Sequence, residues 1–479
     1  MNSKSKRQLR VPDRISGLPD ALLWHILSFV ETQDAVRTCV LSTRWKNIWA
    51  SVPTLDFDQT SFHDPDKFWA FVDSVLLFRH SSNIKKFRLY MKGKDVDHSR
   101  INAWINTAIR RNVVELDLLA GHPFLSKLVE LPKSLFMCKT LVILRLRSQF
   151  ITNIPASGCF PSLKFLHVTF YSNVIESMRE LFSNCPILED LTVDGLLLYG
   201  VSLNLNISVP SLKTLRIWFD KDGDDNGASS YFINCPKLEN LDVTEEFSST
   251  YCWGKAKSLV KASICLPQHC SNGQPSFYRV KSLLAGISSV TDLCLSAHCF
   301  EVGSLPAYEN LRRLKLVIQD CFCWELLTKL LKRSPILESL VLECEVDGCP
   351  QEDSDNDEGS LYEEDSESEE GSEHEEGSEN ERRSDHEEGS VNEQGSEHQW
   401  NPPDCVPKCC LLHLKIVSIR GFMGERDELE VAKYLLKYGK VLNKMTISMD
   451  HLDVNEKEKI YKEFLMVPRG SRTSIVEFM

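Results

Sequence analysis

The chain has 479 residues, 42% of them hydrophobic, which is enough apolar surface for a sizeable core and excludes a wholly disordered protein. At about 150 residues per domain the length suggests about three units, and repeats can stretch one unit further. The formal charge of −13 is unevenly placed: residues 351–399 hold 21 Asp and Glu against two Arg, a local −19, so the rest of the chain carries −13 + 19 = +6. The folded part is therefore expected to be mildly basic, with the acidity confined to one tract.

No run of 18 apolar residues occurs, so no membrane span is expected. Residues 1–13 begin MNSKSKRQLR and read as a basic, flexible N-terminus without the apolar core of a secretory signal. A cytoplasmic or nuclear location follows as the expectation, with the 17 cysteines reduced. Cys405, Cys409, Cys410 and His413 form the densest metal-like cluster, but their spacing fits no common zinc frame.

The first folded unit is expected over residues 14–58. Pro19 suits the first position of a helix, and Asp20 favours the positive end of its dipole. Leu22, Ile26 and Phe29 form one apolar stripe, and Leu23, Leu27 and Val30 a second, which implies burial on two sides. A second helix is predicted from Asp34 to Leu41, and Ser42 is placed to cap a third from Trp45 to Trp49. A unit this short does not hold together without support, so its apolar surface either packs on the next domain or docks another protein.

The run from Arg14 to Asp58, RISGLPDALLWHILSFVETQDAVRTCVLSTRWKNIWASVPTLDFD, resembles a plant F-box. The resemblance rests on the Leu18-Pro19-Asp20 start, the Asp34-Ala35-Val36 turn and the Leu41-Ser42-x-Arg44-Trp45 junction. It implies docking on the Skp-type adaptor of a cullin–RING ubiquitin ligase. The positions facing the adaptor would be Leu18, Pro19, Leu22, Ile26, Leu27, Val40, Leu41 and Trp45.

Residues 59–350 carry a recurring apolar-x-x-apolar-x-apolar phrase. It starts at Leu141, Leu163, Leu188, Leu212, Leu238, Val290, Leu311 and Leu337. Weaker copies start at Ile84, Val113, Leu259, Leu411 and Leu442, and with Leu259 counted the spacings from 141 to 337 are 21–31 residues. The period is that of leucine-rich repeats. The alternating end of the phrase is a short strand with one side inward, and only stacked neighbours can bury that side. Stretches such as Val174–Phe182 and Cys323–Leu331 have helical spacing. The expected fold is thus α/β: a three-helix front unit, then a solenoid with a parallel sheet on the concave face and helices or loops on the convex one.

From Leu337 to Leu411 is 74 residues, one repeat of 26 plus 48, so the acidic tract (351–404 with its flank) reads as an insertion between adjacent strands. It repeats every six residues from Glu369, and its lack of apolar side chains predicts disorder. Ser372, Ser378, Ser384 and Ser390 each have Glu three residues on, which suits an acidophilic kinase. Residues 405–479 resemble the plant FBD tail, through Leu412-His413-Leu414-Lys415-Ile416, Gly421-Phe422 and Glu430 to Leu442. Glu430 to Tyr438 reads as an amphipathic helix between two strands, and the tail would cap the solenoid.

The x positions of the repeat are expected to face solvent. They nominate Arg145, Arg147, His167, Arg216, Trp218 and Lys315 as candidate target-binding residues, with Arg216 beside Trp218 the most interface-like pair. No Gly-rich phosphate loop, G-x-S-x-G or H-E-x-x-H occurs, and Asp220–Asp225 lacks the closing Glu of a calcium loop. No catalytic residue, metal or cofactor is therefore assigned, and no membrane or nucleic-acid partner is expected. The expected partners are the Skp-type adaptor, through it cullin and RING subunits, and an unknown target protein. A non-ligase interaction scaffold and a small-ligand sensor of similar architecture are the alternatives.

Overall fold

The computed structural model describes residues 14–15, 17–79, 83–92, 97–121, 129–147, 150–151, 159–171, 181–197, 203–221, 229–245, 249–254, 257–266, 277–297, 305–318, 324–344 and 400–479. The basic N-terminus, most of Val174–Phe182, the acidic tract and its serines Ser372, Ser378, Ser384 and Ser390 lie outside these residues.

Three short helices open the chain: α1 (Asp20–Leu27), α2 (Thr32–Arg37) and α3 (Trp45–Ile48). Pro19 sits one position earlier than the sequence placed it, as the cap of α1, with its carbonyl accepting from the Leu22 and Leu23 amides. The second helix starts earlier than expected and tightens to a 3-10 turn over Thr38–Val40. Ser42 is not the cap of α3: Arg44 holds that place, in helical conformation, with no side-chain cap bond. Leu23, Leu27, Ala35, Trp45, Ile48 and Val52 close a small core of their own.

Every repeat contributes one strand to a parallel ladder, because its two alternating apolar residues reach a core only between neighbours. The strands are β1 (Thr54–Asp58), β2 (Lys86–Met91), β3 (Glu115–Ala120), β4 (Val129–Glu130), β5 (Ile143–Arg147), β6 (Phe150–Ile151), β7 (Phe165–Tyr171), β8 (Asp190–Leu197), β9 (Asn204–Ile207) and β10 (Thr214–Lys221). They continue as β11 (Ser230–Ile233), β12 (Asn240–Glu245), β13 (Thr250–Trp253), β14 (Lys261–Leu266), β15 (Asp292–Ala297), β16 (Arg313–Ile318), β17 (Ser339–Cys344), β18 (Ile416–Arg420), β19 (Lys444–Ile447) and β20 (Ile475–Phe478). Fifteen of them form one sheet in the order β1-β2-β3-β5-β7-β8-β10-β12-β14-β15-β16-β17-β18-β19-β20. The repeat leucines, from Leu141 and Leu144 to Leu340 and Leu342, are buried in one continuous core.

Four features depart from the sequence reading. Thr54–Asp58, grouped with the helical unit by a boundary at 58, is the first strand of the sheet, with Leu55 and Phe57 inward. In the middle repeats the return path is not helical: β9, β11 and β13 form a second parallel sheet. The repeat assigned to Leu411 slips by three, since Leu414, Val417 and Ile419 are the buried residues while Leu411 lies on a short helix. Cys265 is disulfide-bonded, whereas described cysteines such as Cys185, Cys235 and Cys344 are free. The helix Trp324–Arg333 matches the predicted helical spacing there.

The two strands that flank the acidic tract pair directly, β17 with β18 in parallel register from Ser339↔Ile416 to Glu343↔Arg420. Gly421 follows β18 with φ of +63°, and a Cβ there would stand 2.2 Å from the Cys344 carbonyl oxygen, so glycine alone permits this close approach. Beyond it, the helix Arg426–Tyr438 separates β18 from β19. Its buried Glu428 carboxylate accepts from the Met423 and Glu425 amides at 3.0 Å each.

Carboxylates also tie strands three at a time. Glu189 takes Lys213 at 2.8 Å and Lys164 at 3.2 Å, and Glu338 takes Lys415 at 3.0 Å together with Arg312. Hydrogen bonds from Lys213 and Lys164 hold Glu189 below its ordinary value of 4.5, and those from Lys415 and Arg312 do the same for Glu338. A depressed carboxylate stabilises the fold above its unfolded pKa, and this is lost as pH falls through the folded value. A Glu189→Gln/Glu338→Gln variant should therefore melt below wild type at pH 7, with the gap in Tm closing as the pH falls below the ordinary value of 4.5 and through the lower folded one. A gap that stays constant with pH in thermal scans contradicts this.

Candidate functional site

Two surfaces carry the candidate residues. On α1 the stripes have opposite fates. Leu23 and Leu27 point into the small core, while Leu22 and Ile26 are nearly half exposed and Phe29 is 76% exposed. Leu22 and Ile26, four apart on the helix, share a face, and Phe29, in the turn just after it with its amide bonded to the Ile26 carbonyl, extends them into one apolar strip open to solvent. Val40, the last residue of the 3-10 turn, and Leu41, its cap, are 83% and 65% exposed. The expectation of burial on both sides of α1 is thus wrong, because α3 covers only one of them.

The eight positions nominated on this unit divide accordingly. Pro19, Leu22, Ile26, Val40 and Leu41 are exposed, and Leu18 is half-buried against the small core. Leu27 and Trp45, at 5% and 4% exposure, are core residues that brace the face and offer a partner no surface. Phe29 and Val30 were not nominated as contacts, yet both are exposed. Leu22, Ile26 and Phe29 already share one stripe in the sequence, but apolarity alone does not separate it from the buried one.

The face is held rigidly. Arg44 donates to the Leu18 carbonyl and to Asp20, pinning the start of α1 to the third helix. On the other side the unit is anchored to the solenoid. The Asp56 amide of β1 donates to Thr32 Oγ1 at 2.7 Å, Ser61 Oγ donates to Glu31 at 3.0 Å, and Val36 and Trp49 pack on the main core. A helical unit too small to fold alone is in this way supported through α2 while the strip on α1 stays open.

The second surface is the polar face of the long sheet. Strand register sets one row across it: Asp56, Arg88, Asp117, Arg145, His167, Thr192, Arg216, Asp242, Ser263, Cys294 and Lys315. Signs alternate through its first four members, and carboxylates of neighbouring strands meet the candidate cations. Arg145 holds Glu115 at 2.7 Å and lies over the Phe165 ring. His167 Nε2 is 2.7 Å from Asp194, Arg216 is 2.8 Å from Asp190, and Lys315 is 2.6 Å from Glu343. Arg147 makes two 3.0 Å bonds to Asp117, with both side chains buried.

Arg147 is therefore not a solvent-facing contact, and Thr169 and Thr192 of the same face are also buried. Strands lie only ~4.8 Å apart, so long side chains on one strand lie against those on the next. The other four charged candidates are engaged within the sheet. Trp218 is half-buried and carries no charge.

A groove of about 850 Å³ opens in the C-terminal region, lined by Trp400, Pro403, Tyr434, Tyr438 and Met466 among others. Of its three lysines, Lys433 and Lys462 are bonded to Glu463 and Glu458, and Lys437 lies over the Tyr438 ring. Among the described residues no three His, Cys, Asp or Glu side chains converge as a metal site.

Breaking the Arg147–Asp117 pair leaves a buried, uncompensated charge. Asp117→Ala should cost on the order of 3 kcal/mol by denaturant unfolding, against less than about 1 for Asp34→Ala, which breaks the exposed pair with Arg37. Equal costs would show that the inner pair carries no special burden.

Comparison with known proteins assigns three matched segments. Residues 15–56 match the F-box domain, residues 101–264 match "FBD-associated F-box protein At5g56370, LRR repeats", and residues 401–447 match FBD. The chain is 30% identical to F-box/FBD/LRR-repeat protein At4g00160 of Arabidopsis thaliana, across 96% of this chain and 93% of that one. It is 29% identical to F-box/LRR-repeat protein 13 of the same plant, across 97% and 96%. With F-box/FBD/LRR-repeat protein At5g22700 the identity is 33%, across 69% and 78%.

Proposed function

We propose that this chain, which belongs to the F-box/FBD/LRR-repeat protein family, works as the target-recognition subunit of a Skp–cullin–F-box ubiquitin ligase. The observation that carries the reading is the open strip of Leu22, Ile26 and Phe29, with Val40 and Leu41 exposed on the same small unit and α2 braced on the sheet. Exposed apolar side chains on a rigid support are what a helix-in-groove or helix-on-helix partner needs. The Skp-type adaptor would cover them and bring cullin and RING subunits with it.

In this reading the chain performs no chemistry. The polar face of the sheet holds a target protein, and the complex places that target beside a charged ubiquitin-conjugating enzyme. Tethering raises effective concentration and makes transfer nearly intramolecular. The complex would act in the cytoplasm or the nucleus. The acidic tract, with Ser372, Ser378, Ser384 and Ser390 as candidate phosphorylation sites, would tune charge near the solenoid.

The test separates docking from folding. Leu22→Lys/Ile26→Lys should lower recovery of the Skp-type adaptor and cullin by about tenfold or more, with Tm within a degree or two of wild type. Pro19→Ala and Leu18→Ala should weaken the same capture more modestly. Leu23→Ala, which empties a buried site, should instead destabilise the helical unit by about 2–5 kcal/mol. Undiminished capture by the double-lysine variant, or no adaptor with wild type, rejects the ligase reading in favour of a non-ligase scaffold.

A further inference from the structure

On the polar face, five contacts share one geometry: a charged or imidazole side chain meets a complementary one two residues beyond its Cα partner on the next strand. They are Glu115–Arg145, Asp117–Arg147, His167–Asp194, Asp190–Arg216 and Lys315–Glu343. Such diagonals are within reach of long side chains. The same diagonal between β8 and β10 joins Asp194 to Asp220, because Asp194 is the Cα partner of Trp218. Here the register brings two carboxylates, not a complementary pair, to the same diagonal.

Within the described residues this pair is only half relieved, through His167 on Asp194. Asp194 Oδ2 is taken by His167, while its Oδ1 is buried without a hydrogen-bond partner. Asp220 is an exposed residue that makes no hydrogen bond or ion pair among the described residues; its carboxyl is pushed up by partial desolvation at the strand surface and by the charge of Asp194. Arg216, two residues before Trp218 on the same side of β10, is held by Asp190. Between Arg216 and Asp220 stands Trp218, half exposed, with no hydrogen bond and no ring partner among the described residues. A solenoid whose average charge outside the acidic tract is positive thus carries an acidic spot beside an open indole.

We propose that Asp194, Trp218 and Asp220 form a receptor for a lysine or arginine side chain of the target protein. The cation would stack on the indole face and supply the charge that the Asp194–Asp220 diagonal lacks. This deepens the reading of the polar face as the surface that holds a target, and it rests on that reading. A divalent cation is the rival occupant. Calcium takes six or more oxygen ligands, and an indole supplies none.

Full-length chain is probed with nonapeptides of uncharged degenerate flanks and one central residue: Arg, Lys, citrulline or Glu. Citrulline keeps the shape of arginine without its charge. Wild type should prefer Arg and Lys over citrulline by about fivefold. Trp218→Ala and Asp194→Asn/Asp220→Asn should lose that preference. Both retain the acidic tract, so any preference they keep belongs to the tract. Asp220→Lys supplies the missing charge from within. It should lose the preference too, with Tm raised by about 1–2 °C. A preference that survives in these variants overturns the proposal. So does equal binding of Arg and citrulline, or calcium alone binding one-to-one to wild type and not to the double-Asn variant. Adaptor capture, measured on the same preparations, should not change. Its absence alongside an intact Arg preference would count against the ligase reading and not against this receptor.

Discussion

The whole molecule depends on the burial of two alternating apolar residues per strand between neighbouring repeats. A single Leu-x-x-Leu-x-Leu segment exposes that side to water on its own. Fourteen strands in register, β1 through β19 of the long sheet, bury it along one core that β20 closes with half-buried Val476 and Phe478, and every other feature is attached to that ladder. The first strand carries the anchor for the helical unit. The interior tolerates the acidic insertion because β17 and β18 still pair across it. The end strands β19 and β20 belong to the same sheet, so the C-terminal segment continues the solenoid instead of forming a separate body.

The ladder also explains the chemistry of its polar face. Regular register places side chains of adjacent strands at fixed offsets, so complementary charges can neutralise each other strand after strand. A face rich in Arg and Lys is then far less available to anionic partners than its composition suggests. Selectivity falls to positions where the internal pairing fails, and Asp194–Asp220 beside Trp218 is such a position.

The solenoid was legible in the sequence because its signal repeats: leucine spacing alone located most of the ladder, and spacing arithmetic placed the acidic tract between adjacent strands. Single-copy features were not. The two stripes of α1 are equally apolar, and only the position of α3 decides that Leu27 is core while Ile26 is surface. The middle return strands carry a plain signal, the alternation of Leu203, Leu205 and Ile207, but it is short and lies where the repeat period leads to the expectation of helices or loops. Leu411 and Leu414 each begin an acceptable phrase in the sequence, and the burial of Val417 and Ile419 shows that the repeat starts at Leu414. The charge pairing could have been found by aligning repeats and reading two residues ahead on the next strand.

The central claim is that a small helical unit, braced on the first strand, keeps one apolar strip free for a partner. Hydrogen–deuterium exchange of the full chain, with and without the Skp-type adaptor, tests this most directly. The account requires added protection over residues 19–30 and 38–41, with β1 to β3 unchanged. Protection confined to the sheet, or none in the helical unit at saturating adaptor, would contradict it.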